Sequence, residues 1–461
     1  MGGVSRLSLL LSAALAGGAV PVCAACHSVD NGTIQIITDE DAGTFSRTPA
    51  LTELQVTAVA SADASSVLAT AQLPTSTIDL GQLSESDPVV SLNITGFDSS
   101  KTARVFGATL PLQYAALAGQ TIPIFVQRKG ELALLPGPLS DSRQAPVLSV
   151  IQGEFLLVAG GSEPSLASTT QLFDFGGFSA YAAPPKLPAV PESMALSGTV
   201  TWLIGATGAT YFDFGSSAYL AVSAPAGGSF ADVAGGATVI DSNGAQYVVG
   251  GTRTTGAPSA MVLKIDPSNA SDASYPYGKP SWIKLSTPRL GAAAAWVVTR
   301  GLVVAGGNTS DGGPGVEIVS TDFASSSALP FPADESFGAA AAALDARHVL
   351  LAGGISPSFQ DPGVRAIDLD CAPSVLATCV TSWGSLPFVL ASAQTFAWAA
   401  TDGLVVGNEF ASGDTHVFRL SPKSATEVPT RVPHKNARAV WSPVGSIVLF
   451  GGANALESFV P

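Results

Sequence analysis

From Glu131 to the C-terminus, short apolar runs rich in β-branched residues end in glycine: FLLVAGG at Gly160-Gly161, TWLIG at Gly205, QYVVGG at Gly250-Gly251, GLVVAGG at Gly306-Gly307, HVLLAGG at Gly353-Gly354, GLVVG at Gly407 and SIVLFGG at Gly451-Gly452. Counted between last glycines, the spacings are 44, 46, 56, 47, 53 and 45 residues. A period in this range marks a repeat array. Runs this short, bounded by turn residues, predict strands. A second strand follows each run, as in TQLFDF, AMVLKIDP and THVFRLSP, and a small-residue strand such as GAAAAWVV or SAQTFAWAA precedes most of them. Pro-ended strands such as WIKLSTP, SSALPFP and TEVPT close most units. The pattern predicts four strands per unit and seven units.

A four-stranded sheet of this size cannot bury both faces alone, so it must stack on like neighbours around an axis. The innermost strands crowd there, which favours Ala and Gly. The final unit, RAVWSP, SIVLFGG and LESFVP, ends at Pro461 one strand short. An orphan strand, ELALLP at Glu131 to Pro136, stands before the first complete unit. It is expected to pair with LESFVP and close the ring, since an unpaired edge leaves backbone donors and acceptors exposed.

The glycine-ended strand, the hydrophobic strand after it, and a Trp such as Trp282 or Trp383 about 30 residues on together resemble the kelch-repeat β-propeller family. The resemblance covers residues 131–461, with five diglycines in register and single glycines in units two and six. It implies a seven-bladed propeller. Relatives of that kind include copper radical oxidases resembling galactose oxidase and sialic-acid mutarotases, so an enzyme of carbohydrate metabolism is the alternative to a binding module.

Before the repeats, residues 33–126 alternate as LQVTAVAS, VLATAQLP, VVSLNITGF, ARVFGATLPLQ and TIPIFVQ, broken by SESDP and DSSK. This predicts a small β-sandwich with an immunoglobulin-like arrangement as its nearest class, although no Cys-Trp-Cys landmark is present. The fold class is therefore all-β, a sandwich followed by a seven-bladed kelch-type propeller. At the N-terminus, Arg6 is the only charge before an apolar run from Leu7 to Val20, too short to span a bilayer. Residues 1–25 read as an export signal, which makes the protein secreted, periplasmic or cell-surface associated. Cys26 after Ala24-Ala25 leaves lipidation open as an alternative to plain cleavage. The same residues spell C-x-x-C-H, but no cytochrome-like helical pattern follows, and haem is set aside.

Composition narrows the ligand only by exclusion. With 21 Lys+Arg against 35 Asp+Glu the net charge is −14, which argues against a nucleic-acid partner. Charged residues make up 12% and hydrophobic ones 46%, which excludes coiled coils, long solvent-laced helices and a disordered low-complexity chain. Cys371 and Cys379 lie eight apart with no second ligand pair nearby, so a local disulfide is expected rather than zinc. The histidines His27, His348, His416 and His434 have no metal-ligand spacing, and no nucleophile elbow or P-loop is present. No catalytic residue, metal or cofactor is assigned, and a monomer is expected.

Strand order does place a binding face. The loops after the glycine strands and those joining successive units open on the same side. The first set carries Arg253, Asp311, Phe359, Asp361, Glu409, Phe410 and Asp414; the second carries Arg143, Arg289, His434 and Arg438, with Asp334 and Glu335. Exposed aromatic and Arg side chains are where binding energy concentrates. A non-catalytic propeller taking a protein or glycan on this face is the favoured reading; a spacer without a specific ligand is the third.

Overall fold

The computed structural model describes residues 32–461 except 40–42, 62–63, 81–88, 114–116, 118, 198–199, 252–255, 270–274, 310–311 and 372–377. The export segment and Cys26 lie outside the described residues. No described helix is long and apolar enough to cross a membrane.

Seven four-stranded antiparallel sheets form the blades of a propeller. Their inner strands are Val147–Ile151, Ser193–Ser197, Ala237–Ile240, Ala293–Val297, Ala340–Ala343, Leu390–Ala399 and Arg438–Trp441, in blades 1 to 7. Inner strands of successive blades touch, those of blades 6 and 7 through the bonds of the Gln394 amide with Ala439, and the seventh touches the first, so the ring is closed. The glycine-ended run is the second strand of each blade. Phe155–Ala159, Gln246–Val249 and Ile447–Phe450 are buried at every position, because a neighbouring blade covers each face. That double burial is why these strands read as unbroken apolar runs rather than as alternating ones.

Third strands end in Asp in several blades. Asp174, Asp213, Asp266 and Asp368 accept the amide two residues on, at 2.7 to 3.1 Å. These Asx turns stop the strand and start the outer hairpin. At the other strand end, the diglycine lets neighbours approach: Gly250 has φ +70°, and a Cβ there would lie 2.6 Å from that of Ala292. Blades 2 and 6 keep one glycine for a visible reason. There the second strand runs on past the glycine into its partner, with Gly205 facing Gly208 and Asn408 facing Thr415, and neither Gly205 nor Gly407 sits at positive φ.

The closing strand is the expected one. Leu132–Leu134 pairs antiparallel with Glu457–Phe459, matching Leu132 to Phe459 and Leu134 to Glu457. Blade 7 therefore takes its outermost strand from the opposite end of the repeat region.

The sandwich has a three-stranded sheet centred on Thr33–Ile37 and a larger one containing Leu51–Ser61, Val89–Asp98 and Ala103–Ala108. Ile34, Ile78 and Ile124 of the first pack on Leu54, Leu92, Ile94 and Val105 of the second. The larger sheet runs to Gln127–Arg128, so its last strand leads straight into the propeller. Gln127 Nε2 donates to Ser458 O at 3.0 Å, and Leu134 N donates to Asp39 Oδ2 at 3.1 Å. Phe125 packs with Leu156, Phe173, Phe178 and Phe450 of blades 1 and 7. The sandwich thus docks on the hairpin side of the ring, beside the closing strand. The Cys371–Cys379 disulfide is formed in the outer hairpin of blade 5, with Cα atoms 5.7 Å apart.

Candidate binding face

The face opposite the sandwich is built from the loops after the glycine strands and the inter-blade connections. Its mouth follows a rule. Fifteen residues before the first glycine of the pair, six blades place a residue at positive φ: Ala145 before Gly160, Gly235 before Gly250, Gly291 before Gly306, Gly338 before Gly353, Ser392 before Gly407 and Asn436 before Gly451. Backbone bonds join some of them across blades, Gly338 N to Gly291 O and Ala145 N to Asn436 O, and Gly291 N reaches Gly250 O of the preceding blade, at 2.8 to 2.9 Å.

Two residues earlier, three blades place a buried cationic-type side chain. Arg143 Nη1 donates to Gly160 O at 2.9 Å, Arg289 Nη1 to Gly306 O at 2.8 Å, and His434 Nδ1 lies 2.8 Å from Gly451 O, each across 17 residues. An acceptor on the third strand of the same blade completes the brace by taking the amide three residues before the pin. Gln171 takes Ser140 N, Glu317 takes Ser286 N, and Glu457 takes Arg431 N. Glu457 Oε1 also lies 3.0 Å from His434 Nε2. Arg143, Arg289 and His434 are 1%, 0% and 3% exposed. This corrects the expectation that they present charge to a ligand: they turn inward and pin blades. Burial lowers the Arg289 pKa, against the pull of Glu317 and Asp334.

Asp361 is partly withdrawn as well. Its Oδ2 accepts Leu386 N at 2.7 Å, and burial raises its pKa from the ordinary Asp value. Asp334 pairs with Arg365 at 2.9 Å. Arg253 and Asp311 lie outside the described residues.

What remains on the surface clusters in blades 5 to 7. Phe359 and Phe410 are 66% and 51% exposed, and their rings stack on each other at 5.8 Å and 27°. Phe359 sits at φ +59°, held by Phe359 N to Ser356 O and by Gln360 N to Ser356 Oγ. Phe410 N is tied to Val389 O. Next to the rings, Glu409 accepts Ser412 Oγ at 2.6 Å, and Asp414 is exposed and bridges to Lys435 through the backbone. Arg438 is half-buried on the inner strand of blade 7.

No family model and no curated protein matches the chain. Among solved structures it is similar to U3-55K, at 11% identity and TM-score 0.47, over 72% of this chain and 99% of that one. It is similar to a chain of a mitotic checkpoint complex, at 13% identity and TM-score 0.42, over 72% and 94%. A fungal alcohol oxidase of the AA5 family in complex with copper aligns at 10% identity and TM-score 0.43, over 82% and 90%. Likeness at this level says nothing of activity.

The described histidines stay apart. His348 faces Asp345, His416 faces Glu427 and stacks on Phe388, and His434 is the blade 7 pin. Among the described residues, no three His, Cys, Asp or Glu side chains gather as a metal set.

Proposed function

We propose that the chain is an exported, non-catalytic binding module of the kelch-propeller type, which takes a protein or glycan through the face bearing Phe359 and Phe410. One observation carries the reading: two large apolar rings are exposed side by side, one on strained backbone. A non-glycine residue at positive φ costs on the order of 1–2 kcal/mol, and two exposed Phe side chains forgo roughly 1.5–3 kcal/mol of burial each. A ligand that covers the rings recovers the second loss. Export is supported by the apolar N-terminal run and by the disulfide, which suits an oxidising compartment. The kelch assignment rests on the diglycine strands and their period.

The test is capture on a glycan array and from extracellular extracts, comparing the natural chain with Phe359→Asn/Phe410→Ser. Loss of the captured species in the double variant is expected. Equal capture by both chains contradicts the proposal.

A further inference from the structure

Arg438 lies two residues after Asn436, at the mouth of the central channel. Its Nη1 donates to Ser392 O, 2.8 Å away on the inner strand of blade 6. Among the described residues, eight other arginines are in ion pairs, namely Arg47, Arg104, Arg143, Arg300, Arg347, Arg365, Arg419 and Arg431. Arg128 and Arg289 have no ion pair but are each tied to several backbone carbonyls. Arg438 has only the Ser392 carbonyl, and a guanidinium carries five N–H donors. Burial pushes its pKa downward. In a chain of net charge −14, a half-buried cation without an anionic partner is out of place.

The cation and the ring pair border the same rim. Phe410 is bonded at Val389, and Ser392 is three residues further along, at most about 10 Å of extended chain. The groups beside Phe410, Glu409 and Asp414, are carboxylates that suit hydroxyl donors and repel any ligand with a run of negative charges, so the partner they allow carries one carboxylate among neutral hydroxyl groups.

We infer that the ligand of this face is an acidic glycan, a sugar whose ring lies on Phe359 and Phe410, whose hydroxyls reach Glu409 or Asp414, and whose carboxylate pairs with Arg438. The inference rests on the binding reading above and names the chemistry of its ligand. A planar guanidinium matches a carboxylate through two parallel bonds.

The test is titration calorimetry of the full chain with neutral oligosaccharides that end in a single galacturonate or glucuronate, each beside its methyl ester. The free acids should bind at least tenfold more tightly than the esters. Arg438→Gln should remove that difference and leave ester binding unchanged, Arg438→Lys should restore part of it, and melting temperatures near the natural chain's confirm folding. Equal binding of acid and ester, or a folded Arg438→Gln chain that keeps the preference, overturns the inference, as does binding of no uronate. If the preference vanishes but Phe410→Ser still abolishes binding, the aromatic platform stands without the charge. If Phe410→Ser changes nothing while Arg438→Gln does, the platform reading falls instead.

Discussion

The two faces of the ring use the same device to opposite ends. On the sandwich side, Phe178 in the outer hairpin of blade 1 sits at φ +48°, is 7% exposed, and packs 6.0 Å from the Phe125 ring of the sandwich. On the other side, Phe359 sits at φ +59°, is 66% exposed, and stacks on another exposed Phe. Phe323 at φ +57° resembles the first case, with Tyr247 5.7 Å away. Where a phenylalanine is forced into the left-handed region and its partner belongs to the chain, the partner covers it. Phe359 departs from that pattern, since its ring partner Phe410 is itself exposed, and this contrast is the ground of the binding proposal.

The comparison breaks most visibly at the closing strand. A chain starting at Arg143 loses Leu132–Leu134 and is expected to aggregate, because Glu457–Phe459 is left as an open edge. A chain starting at Ile124 keeps the closing strand and Phe125 but loses the Asp39 acceptor for Leu134 N, and should fold with a lower melting temperature. Equal stability of the two would show that the sandwich-side seam does not hold the ring. Next in size, Phe178→Ala should cost about 3 kcal/mol in urea unfolding, whereas Phe359→Ala should stay within about 0.5 kcal/mol. Similar losses in both would erase the distinction between the faces. Replacing Cys371 and Cys379 by Ser should cost about 2 kcal/mol by loop-closure entropy and leave ligand capture intact, since the disulfide lies on the sandwich side. The smallest effect is in pH. Asp266, Asp322, Asp345 and Asp368 on the hairpin side have lowered carboxyl pKa values. For Asp368 the bond from Arg347 is the main cause. Their stabilisation is present above the unfolded carboxylate range of about 4 and fades as pH falls below it. Asp361 on the opposite face is raised by burial, so its contribution has the reverse sign and grows on acidification. Asp141 beside the Arg143 pin is lowered as well and Glu154 on the hairpin side is raised, so the contrast is clearest within blade 5: hydrogen exchange at falling pH should loosen the outer hairpin at Asp368 before the loop at Asp361.

Much of this architecture is written in local pattern. The blades are legible because a doubly buried strand must be apolar throughout and must end where glycine permits the turn. Closure is legible because ELALLP had no other partner. The candidate face was legible as loops but not as side chains. Loop position could not show that Arg143, Arg289 and His434 turn inward, because direction depends on the carbonyl each one meets. The signal was there as spacing: each pin stands 17 residues before its glycine. Phe359 and Phe410 lie 51 positions apart, and only the packing of blade 5 on blade 6 brings their rings together.

Phe359→Asn tests the binding claim most directly. Asn tolerates the left-handed backbone that Phe359 occupies, so unfolding stability should hold or rise by a few tenths of a kcal/mol. The same chain should lose its captured ligand. A variant that binds as the natural chain does, or one that unfolds more easily, would contradict a face built for recognition.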